Sequence, residues 1–110
     1  MELNTYQQLA ERTSRFALEG YSDNRILMAT LGLTGESGEV ADYIKKVIFH
    51  SHNLDQLKLI KEMGDVLWYI AELASTLHIP LEDIALINLE KLTQRYKGQF
   101  SSEASINRSE

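Results

Sequence analysis

Apolar positions recur along most of this chain at steps of three or four, the rhythm of one face of a helix. Leu27, Leu31, Thr34, Gly38, Ala41, Ile44 and Ile48 follow it over one long stretch. Ile60, Met63, Leu67, Ile70, Ala74 and Leu77 follow it over a second, which ends near His78. Ile84, Ile87, Leu89 and Leu92 make a shorter apolar set, and Leu9, Phe16 and Tyr6 give an early one. A single proline and few β-branched runs agree with an all-helical chain.

Capping residues place the ends of four helices. Asn4 followed by Gln7 resembles a capping box, and Gly20 can close that helix, so the first spans about 4–19. Ser22 or Asp23 opens the second, which runs to about Phe49. The segment "HSHNLD" breaks the pattern, and Asn53 or Asp55 caps the third. Pro80 suits the first turn of the fourth, with Glu82 and Asp83 at the positive end of its dipole and Gly98 as its stop. The fold expected for residues 1–98 is an all-α antiparallel four-helix bundle, with 99–110 as a polar, disordered tail. Two long and two shorter apolar helices in a domain this small need a partner to cover them, so a homo-oligomer is expected.

Composition narrows the picture. With 110 residues and 44% apolar content, one modest core is available. The absence of cysteine removes disulfides and thiolate metal sites. No run reaches the ~18–20 apolar residues of a membrane span. The stretch "MELNTYQQLAERTSRF" does not have the pattern of a secretory signal, so a cytoplasmic protein is expected. A net charge of −5 argues against nucleic acid as partner. It leaves room for a small polyphosphate, because divalent cations bridge carboxylates to phosphate oxygens.

Acidic pairs carry the chemistry. Glu36 and Glu39 lie in "GESGEV", and Glu62 and Asp65 in "KEMGDVLWY". Residues three apart share a helix face, with β-carbons ~5–6 Å apart. A lone pair of this kind reads as a solvated acidic surface. Here both pairs adjoin the apolar stripes, and Gly35, Gly38 and Gly64 stand beside them. Interior glycine costs a helix about 0.5–1 kcal/mol relative to alanine. The expected return is a close approach of the second and third helices that gathers four carboxylates. Such a cluster needs cations, and oxygen-only ligation favours magnesium or manganese. Lys58, Tyr69 and Glu72 share the stripe of Glu62 and Asp65, while Asn88, Lys91 and Arg95 share a face of the fourth helix.

Glu-x-x-Glu followed by Glu-x-x-Asp on consecutive helices resembles the all-α nucleoside triphosphate pyrophosphohydrolases, MazG-like proteins in particular. "LGLTGESGEVADYIKK", "KEMGDVLWYIAELA" and "NLEKLTQRY" carry the resemblance, which covers roughly residues 4–100. It implies that Glu36, Glu39, Glu62 and Asp65 bind Mg2+, with Mn2+ a possible substitute. Glu36 or Glu39 would be the general base. It further implies that Lys91, Arg95 and Lys58 reach the triphosphate, and that Asn88 and Tyr69 lie near sugar or base. The implied reaction converts an NTP or dNTP to NMP and pyrophosphate in a homodimer or homotetramer, with pockets completed by a neighbouring subunit. Two departures stand out. Gly35 precedes Glu36 where related dimeric dUTPases carry a glutamate, and Lys97 stands where many relatives have proline. The rival readings are a non-catalytic helical adaptor and a di-iron carboxylate bundle. The latter would use Glu-x-x-His pairs, which His50, His52 and His78 do not form.

Overall fold

Ser22 and Asp55 open the two long helices, each by accepting a backbone N–H with its side chain. Ser22 takes the amide of Arg25 at 3.0 Å, and Asp55 that of Lys58 at 3.2 Å. The structure, a computed structural model, describes residues 1–18, 22–97 and 100–108. Among these, five helices and no strand are present: α1 Leu3–Glu11, α2 Asp23–Phe49, α3 Gln56–Thr76, α4 Leu81–Tyr96 and α5 Ser102–Ile106. The all-α expectation holds.

α2 and α3 form an antiparallel pair joined by residues 50–55. The Tyr43 hydroxyl accepts the Asp55 amide at 2.6 Å and ties the turn to α2. Ala29 and Tyr43 of α2 and Ala71 and Ala74 of α3 are buried. These are not the stripe that the α2 periodicity suggested. Leu27, Leu31 and Ile48 of that stripe are 57%, 63% and 65% exposed. Met63 of the second stripe is 56% exposed as well. A 27-residue helix carries more than one apolar face, and α3 covers the one that runs through Arg25, Ala29 and Tyr43. α4 packs on α1, α3 and α5 but not on α2, so the outward face of α2 is left bare among the described residues.

α1 is shorter than expected. It ends at Glu11 instead of continuing to 19, because Ser14 leaves the helical path. The Ser14 hydroxyl accepts the Phe16 amide at 3.1 Å and donates to the buried Glu72 carboxylate. Local side-chain bonds of this kind compete with the helical ladder. They turn residues 12–18 back onto α3 and bury Ser14 and Phe16. Gly20 lies outside the described residues.

Asn4 and Gln7 do cap a helix, but a distant one. The Gln7 side-chain carbonyl accepts the Leu81 amide at 2.7 Å, and that of Asn4 accepts the Glu82 amide at 3.0 Å. They satisfy the orphan donors of α4, where Pro80 itself is the N-cap and offers no side-chain bond. α4 closes at Lys97 in a left-handed conformation, φ 48°. The stop assigned to Gly98 lies outside the described residues. Within the stretch expected to be disordered, Ser101 caps α5 by accepting the Ala104 amide.

Candidate metal centre and nucleotide site

Glu62 and Asp65 stand three apart on α3 and project the same way. The antiparallel pairing lays Glu36 of α2 across from them. One carboxylate oxygen from each of the three lies within 4.8 Å of the others. Glu36 and Glu62 are half-buried, and Asp65 is exposed. Loss of solvent raises the Glu36 carboxyl above its ordinary value, and the charges of Asp65, Glu62 and Glu39 push the same way. Three anionic oxygens held this close, one of them reluctant to ionise, suit a hard cation. Magnesium and calcium bind oxygen at about 2.0–2.6 Å, short enough for one ion to touch all three.

Glu39, expected in the same cluster, is exposed and outside the converging group, although its charge reaches Glu36. The structure therefore brings together three of the four expected ligands.

The glycines act differently from expectation. A β-carbon at Gly35, Gly38 or Gly64 would meet nothing within 4 Å, so none of them marks a close helix contact. The close contact is at Gly32, where a β-carbon would sit 2.1 Å from the Tyr69 ring. Gly32 is one turn before Glu36 on α2, and Tyr69 one turn after Asp65 on α3. Their contact floors a cavity of about 670 Å³, walled by Arg15, Phe16, Asn24 and Met28 among others. Cavity and carboxylates are thus neighbours along the same two helices.

The family model of the MazG nucleotide pyrophosphohydrolase domain matches residues 25–100. The chain belongs to the MazG family. It is a nucleotide pyrophosphohydrolase, a hydrolase of acid anhydrides, in a family that depends on divalent metal. It is also 35% identical over 103 residues to the Gene 37 protein of Mycobacterium phage L5, covering 86% of this chain and 89% of that one. No solved structure matches it.

Other residues expected in this MazG site are more scattered. The Lys58 ammonium lies 4.8 Å over the Tyr43 ring, one turn before Glu62. Tyr69 meets the Trp68 ring edge-on at 4.9 Å, besides packing on Gly32. Asn88 is exposed and Lys91 half-buried. The Arg95 guanidinium lies 5.7 Å over the Tyr96 ring. These last three belong to α4, which does not pack on α2 within the chain. Lys45 and Lys46 both pair with Asp42, at 2.9 and 2.8 Å. Their hydrogen bonds hold the Asp42 carboxyl down at about 2.

Sequence reasoning missed Tyr6 of α1 and the buried pairing of Arg25. The Tyr6 phenol is raised above its ordinary value by burial and then by the Asp65 charge. Arg25 is 1% exposed and bonds Glu72 at 2.7 Å and Glu11 at 2.8 Å. No local signal announces a pair 47 residues apart in sequence. The only hint is an arginine placed one turn before Ala29 on the buried face of α2.

Proposed function

We propose that this MazG chain is a Mg2+-dependent pyrophosphohydrolase that cleaves the α–β phosphate bond of an NTP or dNTP, giving NMP and pyrophosphate in the cytoplasm. The reading rests on the converging oxygens of Glu36, Glu62 and Asp65. A divalent cation held by these three, Mg2+ or Mn2+, would neutralise the phosphates and acidify a bound water.

The protein's own groups divide the remaining work. Glu39 stands outside the ligand group but within reach of its field. It is the carboxylate left to take the proton as water attacks the α-phosphorus. The bond from that phosphorus to the bridging oxygen breaks, and pyrophosphate leaves. Lys91, Arg95 and Lys58 offer positive charge for the departing group. Tyr69 and Asn88 lie toward the nucleoside.

Apolar residues support a homodimer or homotetramer. Ile48 of α2 and Ile60, Met63 and Leu67 of α3 are exposed apolar residues.

Hydrolysis in 18O-labelled water tests the reaction. Label in the nucleoside monophosphate, with unlabelled pyrophosphate, dependence on Mg2+ and loss of turnover in EDTA are the expected results. Release of inorganic phosphate and a nucleoside diphosphate would overturn it.

A further inference from the structure

We propose that the cavity beside the carboxylates reads the nucleobase through Arg15 and Asn24, and that the chain prefers guanine nucleotides. The proposal rests on the pyrophosphohydrolase reading for where the phosphates go, and it adds which base is taken and by which residues.

Position comes first. Gly32 and Tyr69 each stand one turn, about 5–6 Å, from a carboxylate of the cluster. A nucleotide with its α-phosphate at Glu36 and Asp65 therefore extends its nucleoside along the same two helices into the cavity. At about 670 Å³ the space takes a purine nucleoside with room to spare. Leu27, Met28, Leu31 and Tyr69 give it apolar and aromatic surface for the flat face of a base.

The polar groups on the wall then choose the edge. Arginine carries donors only, in a fixed fork. Guanine presents two acceptors, O6 and N7, that match the fork, whereas adenine sets an amino donor where O6 would be. The Asn24 amide, able to accept as well as donate, can complement the remaining guanine N–H groups.

Arg15 is exposed, but the backbone segment that carries it is anchored, as discrimination requires. Arg15 lies between two buried residues, Ser14 and Phe16, and its guanidinium sits 5.0 Å over the Phe16 ring. Ser14 donates to Glu72, which accepts from Arg25 at 2.7 Å. Thr13 accepts the Trp68 indole N–H at 2.8 Å. The buried Arg25–Glu72 pair stands two turns from Asp65 along α3 and is not among the converging carboxylates. Its place in the fold is explained if it is a positioning pair that holds residues 12–18 against α3.

Calorimetric binding of dGMP and dAMP, beside kcat/KM for dGTP and dATP, tests this on wild type, Arg15→Ala and Arg15→Lys. We expect dGMP and dGTP to be favoured roughly tenfold or more. Both variants should bring the ratio toward one, Arg15→Lys included, because it keeps the charge and loses the fork. A ratio unchanged in the variants, a preference for adenine, or equal losses on both bases would each overturn the proposal, the last by assigning Arg15 to the phosphates. Failure to bind either monophosphate would overturn it too. An Arg15-dependent dGMP preference without pyrophosphate release would sustain this inference and sink the hydrolase reading. Pyrophosphate release with a guanine preference indifferent to Arg15 would do the reverse.

Discussion

The two ends of the α2–α3 pair are built on opposite plans. At one end, α1 and residues 12–18 fold over the helices and enclose a charged network, with Arg25 1% and Glu72 6% exposed. At the other, Ile48, Phe49, Leu54, Leu57 and Ile60 stand 57–76% exposed. Glu36, Glu62 and Asp65 lie midway. The closed end is finished within one chain and shapes the cavity next to the carboxylates. The open end is apolar where nothing among the described residues covers it, as a surface shared between copies would be. A charge is buried where a wall must hold one geometry, and apolar surface is left bare at the far end of the pair.

The sharpest way to break this contrast is to attack the closed end. Glu72→Ala leaves the Arg25 guanidinium buried with its main partner gone, and should lower unfolding free energy by about 3–5 kcal/mol in a denaturant titration. A loss near zero would mean that the network does not hold the fold. The open end calls for the opposite response. Ile60→Asp should leave the helical circular dichroism intact while weakening self-association by about 2 kcal/mol or more, read by sedimentation. A monomeric wild type would contradict the shared-surface reading.

Between the ends, Gly32→Ala forces the Tyr69 ring to move, because its β-carbon would lie 2.1 Å from the ring. Overpacking of this kind typically costs ~1–3 kcal/mol, and here it should fall on KM more than on melting temperature. Unchanged kinetics would remove Tyr69 from the cavity floor. The smallest effect belongs to Asp42, exposed and paired with Lys45 and Lys46. Its carboxyl is held down at about 2, below the ordinary 3.8, so its contribution is present above 3.8 and fades as pH falls toward 2. Asp42→Asn should therefore leave the melting temperature at pH 7 almost unchanged, and a large drop would contradict its reading as a surface pair.

Local chemistry was legible in the sequence, and partners across space were not. Ser22 and Asp55 cap the helices their positions suggested, since an N-cap depends on neighbours within three residues. Glu62 and Asp65 share a face because helical geometry requires it. Asn4 and Gln7 also have capping chemistry, yet they serve α4, some 74 to 78 residues away. Helical spacing cannot say which of several apolar faces a neighbour will cover, and this is why the Leu27–Leu31 stripe faces outward. Nor could glycine spacing show that Gly32, and not Gly35, Gly38 or Gly64, meets an aromatic ring. Glu39 fell outside the cluster although it obeys the same three-residue rule as Asp65.

The central claim is that Glu36, Glu62 and Asp65 jointly hold the divalent cation on which turnover depends. Mg2+ titration of pyrophosphate release, run on wild type, Glu62→Gln and Asp65→Asn, tests it most directly. The account predicts that each variant needs far more Mg2+ and loses roughly a hundredfold or more in rate at fixed metal. Wild-type Mg2+ dependence and turnover in Glu62→Gln and Asp65→Asn would contradict it.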